Sequence, residues 1–179
     1  MAALYFLTTN QDKHTEIAEL LHEVANVEVE QRSARLPVPP SNAPGEVARF
    51  RALEAFKVLR APVFAEALAV ELADGLVSGA SYRQAFEQHG GSSWLKKHDG
   101  KTGTAHIAVG YTADGETSQL FEAAIRGRLT SRAQGDGIAA WERHWIPEGA
   151  TKTLAALADD GDAPPQDEPY VALAKSLRG

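Results

Sequence analysis

Between Leu4 and Val24 the hydrophobic pattern changes period, and this change constrains how the chain begins to fold. Leu4 to Leu7 is a short apolar run, as a buried strand requires. Ile17, Leu20, Leu21 and Val24 then recur at i, i+3, i+4 and i+7, one face of an amphipathic helix. The spacing predicts a strand over 3–9 and a helix over 11–24. Thr8, Thr9 and Asn10 fall at the junction, where hydroxyl and amide side chains can cap free backbone N–H groups. A helix N-terminus presents those N–H groups and a partial positive charge to an anion. Lys13 lies in the first turn, so its ammonium can reach the same anion. Two readings fit: a phosphate site made by Thr8, Thr9, Asn10 and Lys13, or an ordinary capped helix.

Farther along, Val27-Glu-Val-Glu30 alternates as a short strand. Leu36 to Gly45 holds four prolines and reads as a loop, since no helix interior or central strand accepts them. A helix is expected from Glu46 to Leu59, with Ala48, Ala52, Ala55, Phe56 and Leu59 on its apolar face. Ala61 to Glu66 reads as a buried strand, and residues 67–80 carry no clear pattern. Tyr82 to His89 is expected to be helical, and Ser93 to Lys97 a further turn. Ala105, Ile107, Val109 and Tyr111 alternate with smaller or polar residues, and Leu120 to Leu129 returns after the turn 112–117, which makes a hairpin. Residues 140–147 read as extended, 151–158 and 169–177 as closing helices, and the acidic stretch 159–168 as a loop. Strands alternating with helices, followed by a hairpin, specify an α/β chain with a mixed sheet in one domain, residues 1–179.

With 179 residues the chain can bury a real core, and 44% apolar with 23% charged residues is ordinary for a globular protein. The net charge of −6, without a basic stripe, argues against a duplex nucleic-acid binder but allows one nucleotide in a local basic pocket. Cysteine is absent, which excludes disulfides and thiolate chemistry. No apolar run reaches the roughly 18 residues of a membrane span. No secretory signal is visible, so no membrane partner and a cytoplasmic location are expected. The six histidines show no i, i+4 metal pair.

The motif Thr8-x-Asn10-x-x-Lys13-x-x-Glu16 after one strand resembles the opening of the inosine triphosphate pyrophosphatase family, with Thr9 where that family has Gly. Further matches follow in order. Val47-Ala-Arg-Phe-Arg51-Ala resembles the family helix with a phosphate-binding Lys, here Arg51, which can also be read as a solvated side chain. Val63-Phe-Ala-Glu66-Ala67 resembles the strand ending in two acids, and Ser78 to Tyr82 a Pro-Gly-x-Tyr loop. Phe121 and Gly127 match a strand pattern. Ile138 to Gly149 resembles the segment whose aromatic lines the base, here Trp141, followed by Glu142 in place of Asp. Trp141 and Trp145 can equally be core residues at strand spacing. The resemblance implies a two-lobed fold with a nucleotide cleft, a homodimer, and Mg²⁺-dependent hydrolysis of a purine-type nucleoside triphosphate.

The departures fall on the carboxylates. The proline-rich loop lacks the family Glu, Ala67 replaces the second strand acid, and Asp167 to Leu173 replaces the C-terminal Ser-His-Arg. The resemblance leaves Glu66 and Lys13 as candidate catalytic groups, and Glu66 and Glu16 as candidate Mg²⁺ ligands, since Mg²⁺ takes oxygen donors. Strand geometry points Glu66 to the opposite face from residue 67. Losing such an acid costs roughly 10²–10⁴ in rate per group. Three functions follow: hydrolysis on rearranged ligands, nucleotide or phosphometabolite binding without turnover, or metal-independent chemistry in the same pocket. Restoring the strand acid with Ala67→Asp would raise hydrolysis on the first.

Overall fold

The computed structural model describes residues 3–73, 75–78 and 92–179. The expected helix 82–89 and most of the 78–82 loop lie outside those residues. The chain opens with β1 (Leu4–Leu7), α1 (Gln11–Ala25), β2 (Val29–Arg32), α2 (Pro44–Leu59), β3 (Val63–Leu72) and β4 (Gly75–Ser78). It continues with α3 (Ser92–His98), β5 (Thr102–Thr112) and β6 (Gln119–Leu129). A 3₁₀ turn (Ala140–His144), β7 (Trp145–Pro147) and α4 (Leu154–Asp159) follow, and a second 3₁₀ turn (Pro165–Asp167) leads into α5 (Glu168–Leu177).

The described strands form one sheet in the order β2-β1-β3-β5-β6-β7, with β4 paired to β3. β1 runs parallel to β2 and β3, while β3–β4 and β6–β7 are antiparallel, so the sheet is mixed as the sequence requires. The chain divides into two compact units. One comprises Met1–Ala67, Ile107–Ala123 and Asp167–Gly179; the other comprises Leu68–His106 and Ala124–Gln166.

In the first unit α1 begins where the pattern places it. Asn10 accepts the Lys13 backbone N–H at 3.1 Å and caps the helix. Asn26 ends it in the left-handed conformation, with its N–H on the His22 and Leu21 carbonyls. The chain reaches β2 only at Val29, paired opposite Leu4, so the strand lies two residues beyond the expected Val27–Glu30. Ile17 and Leu21 of α1, Leu4 and Phe6 of β1, Phe64 of β3, and Tyr170 and Leu173 of α5 make one core cluster. Ala48, Ala67 and Ala108 form another, with Val47 and Leu120 against it. Glu66 and Ala67 therefore face different packing environments on opposite sides of β3, as strand geometry requires.

β3 runs on through residues 67–72, where no pattern was readable. Ala67, Ala69 and Val70 are all buried there, so alternation disappears. In the second unit the expected extended segment 140–147 is a 3₁₀ turn followed by three residues of strand. Thr130 N–H to the His144 carbonyl (3.0 Å) and Gln134 N–H to the Arg143 carbonyl (3.0 Å) hold that turn. Gly127 leaves room for β7: a Cβ there would lie 2.3 Å from the Ile146 carbonyl oxygen and 2.8 Å from the Trp145 ring nitrogen. No helix among the described residues is long and apolar enough to cross a membrane.

Candidate active site

The predicted phosphate residues gather at the β1–α1 junction. Thr8 Oγ1 accepts the Asn10 backbone N–H at 3.1 Å, and the Asn10 side-chain oxygen is committed to the cap. Both residues thus do the structural work of an ordinary helix start, and Thr9 is exposed beside them. Lys13 departs from that ordinary picture. It is only 8% exposed, although nothing in an ordinary cap requires burying an ammonium.

Carboxylates surround that ammonium. Nζ lies 3.3 Å from Glu16 Oε2 and 3.7 Å from Asp167 Oδ1, and it sits 5.3 Å from the centre of the Tyr170 ring. Tyr170 is fully buried and donates its hydroxyl to Glu66 Oε2. Its ring is set by Phe6 and Phe64, which stack at 4.5 Å and meet Tyr170 edge-on at 6.0 and 6.2 Å. Arg51 donates from Nη1 to the Glu66 backbone carbonyl at 3.1 Å, which ties the guanidinium to β3. Lys13, Glu16, Arg51 and Glu66 thus converge in the first unit, joined by two residues the sequence reading did not select, Asp167 and Tyr170.

Burial pushes the Asp167 carboxyl up to about 6. Lys13 opposes that rise, while Glu16 and Glu66 add to it. Burial and the Glu66 carboxylate hold the Tyr170 phenol well above its usual range. The available signal for the missed pair was their i, i+3 spacing, which puts Asp167 and Tyr170 on one side of the start of α5.

Trp141 and Glu142 lie in the second unit, both buried in the 3₁₀ turn. Trp145 is a core residue with no exposed surface. The two expected Mg²⁺ ligands are engaged by protein groups, Glu16 by Lys13 and Glu66 by Tyr170. Among the described residues no group of three or more His, Asp or Glu side chains is placed to hold one metal ion. The described residues therefore do not fit a protein-built Mg²⁺ shell. A divalent ion would have to come largely coordinated by substrate phosphates and water, the usual habit of Mg²⁺.

Known proteins match the chain over most of its length. The sequence pattern described as the Ham1 family covers residues 4–162. Inosine triphosphate pyrophosphatases 1 and 2 of Trypanosoma cruzi are each 28% identical over 160 residues, covering 86% of this chain and 80% of theirs. A dITP/XTP pyrophosphatase of Methanopyrus kandleri is 28% identical over 157 residues, covering 85% and 82%. The structure of a Ham1 protein from Coxiella burnetii superposes with a TM-score of 0.76 at 14% identity, over 99% of this chain and 98% of that one. The Staphylococcus aureus Ham1 protein superposes at 0.74, with the same identity and coverage. At that identity the structural likeness speaks to the fold. The family match ends before Asp167 and Tyr170.

Proposed function

Because this chain belongs to the Ham1 family, we propose that it is a divergent nucleoside triphosphate pyrophosphatase that cleaves a purine-type nucleotide to the monophosphate and pyrophosphate. The observation that carries this reading is the buried Lys13 ammonium in the first turn of α1. A cation there adds to the positive end of the helix, and phosphate oxygens are the natural ligand of that pair. Low exposure strengthens the attraction, because less water screens it.

In this reading Lys13 holds the phosphate chain, with Thr8, Thr9 and Asn10 beside it. Arg51 offers its planar fork from a position fixed by the Glu66 carbonyl. Glu66 orients Tyr170 and through it the start of α5. On the resemblance alone, Trp141 and Glu142 are the candidates for the base. A Mg²⁺ ion accompanying the nucleotide would neutralise phosphate charge. A homodimer and a cytoplasmic location complete the reading.

A second reading, binding without turnover, is favoured by one observation: the position of the second strand acid is Ala67, packed against Ala48 and Ala108. One assay separates the two. Protein is incubated with ITP, XTP, dUTP and the standard NTPs, with and without Mg²⁺ or Mn²⁺, and released pyrophosphate and phosphate are read. Metal-dependent pyrophosphate release is expected. No turnover together with thermal stabilisation by a nucleotide would replace hydrolysis with binding.

A further inference from the structure

We propose that Asp167, carried into the site by the start of α5, is the general base that activates the attacking water, in place of the strand acid absent at Ala67. This inference rests on the hydrolytic reading above.

Three geometric facts support it. Asp167 is 7% exposed, and its Oδ1 accepts no hydrogen bond among the described residues. Buried carboxylate oxygens are normally hydrogen-bonded, and a water is the small donor that suits this one. That oxygen lies 3.7 Å from Lys13 Nζ, beyond hydrogen-bond range but close enough for the two to flank one small donor. The neighbouring acids are differently placed: Glu16 Oε2 is held by Lys13 and Glu66 Oε2 by Tyr170. A general base needs to reach its water at hydrogen-bond distance, and the cation that would hold the phosphate is 3.7 Å from Asp167 Oδ1.

The step balances as follows. Asp167 takes a proton from water as the water oxygen bonds to the α-phosphorus. The bond from that phosphorus to the bridging oxygen breaks, and its electron pair leaves with pyrophosphate. Asp167 then returns the proton to solvent, so nucleotide and water become monophosphate, pyrophosphate and one proton. The groups facing Asp167 are Lys13 and Glu16 from α1, Glu66 from β3, and Tyr170 from α5, which Asp167 precedes. Burial, with Lys13 opposing and Glu16 and Glu66 adding, places the carboxyl at about 6, ionised and still basic near neutral pH.

The test compares wild type, Asp167→Asn and Asp167→Glu in steady-state pyrophosphate release from ITP with Mg²⁺ across pH 5–9. Folding of each variant is checked by circular dichroism. Asp167→Asn should lower kcat by roughly 10²–10⁴-fold with KM little changed. The fall in wild-type kcat below a midpoint near 6 should vanish in that variant. Asp167→Glu, which keeps the carboxylate, should fall between the two. Wild-type kcat and an unchanged acid limb in Asp167→Asn would overturn the proposal while leaving the hydrolytic reading in place. Faster turnover with tighter nucleotide binding in Asp167→Asn would also overturn it, since Asp167 would then be a competitor for Lys13. No pyrophosphate from the wild-type chain on any nucleotide would overturn the hydrolytic reading and the base with it. If Asp167→Asn does not fold, wild-type turnover and acid limb in Asp167→Ala would decide against the base.

Discussion

Tyr170 donates its hydroxyl to the Glu66 carboxylate across 104 positions of sequence, clipping the start of the last helix to the middle of β3. The ring sits fully buried between Phe6, Phe64 and Lys13, so the bond is made where water cannot replace it. Asp167 stands three residues ahead of Tyr170, beside Lys13, so the clip holds the segment that carries it.

Tyr170→Phe keeps the aromatic packing and removes only the hydroxyl. It leaves Glu66 without its donor, which should cost about 1–3 kcal/mol of stability. Urea denaturation checks this. Because Asp167 loses its anchor, turnover should fall as well, and undiminished turnover in a destabilised variant would detach the clip from the site.

Lys13→Ala should abolish nucleotide-induced thermal stabilisation. It removes the buried cation while leaving Asp167 without its ion-pair partner, so the carboxyl should rise above its present value of about 6. Unchanged nucleotide affinity in this variant would sink the phosphate site.

Asp167 also makes stability depend on pH. Its folded value of about 6 lies above the ordinary 3.8, so the folded chain holds the proton more tightly than the unfolded chain. Stability therefore falls as pH rises from about 4 through 6, by at most ~3 kcal/mol at ~1.36 kcal/mol per unit. Asp167→Asn should remove that cost: its melting temperature should exceed wild type at pH 7.5 and approach it at pH 4. A gain in stability coupled to a loss of rate is what a strained functional group predicts. Equal pH dependence in the two proteins would show that the carboxyl is not held up by burial.

Ala67→Asp reverses the sequence-based expectation of improved hydrolysis. Residue 67 is 5% exposed and packs against Ala48 and Ala108. A carboxylate there is overpacked and unpaired, which should cost more than about 2 kcal/mol. A folded, stable Ala67→Asp with raised turnover would contradict this packing.

Local patterns carried much of the fold. The 3.6-residue period announced α1 to within one residue, and Asn10 was readable as its cap because an N-cap bond spans only three positions. α2 and the adjacent strands β5 and β6 were legible for the same reason. β3 was truncated in the reading because a strand buried on both faces loses its alternation. The turn at 140–144 was misread because its carbonyls at 143 and 144 are held by the N–H groups of residues 134 and 130.

The site divides along the same line. The sequence by itself determined Thr8, Asn10, Lys13 and Glu16, since one helix turn fixes their spacing. Only the tertiary structure decided that Asp167 faces Lys13, that Tyr170 holds Glu66, and that Ala67 is sealed in a packed cluster. A periodicity reports which face of an element is apolar. It does not report which distant element covers that face, and here that choice sets the burial that raises the Asp167 carboxyl.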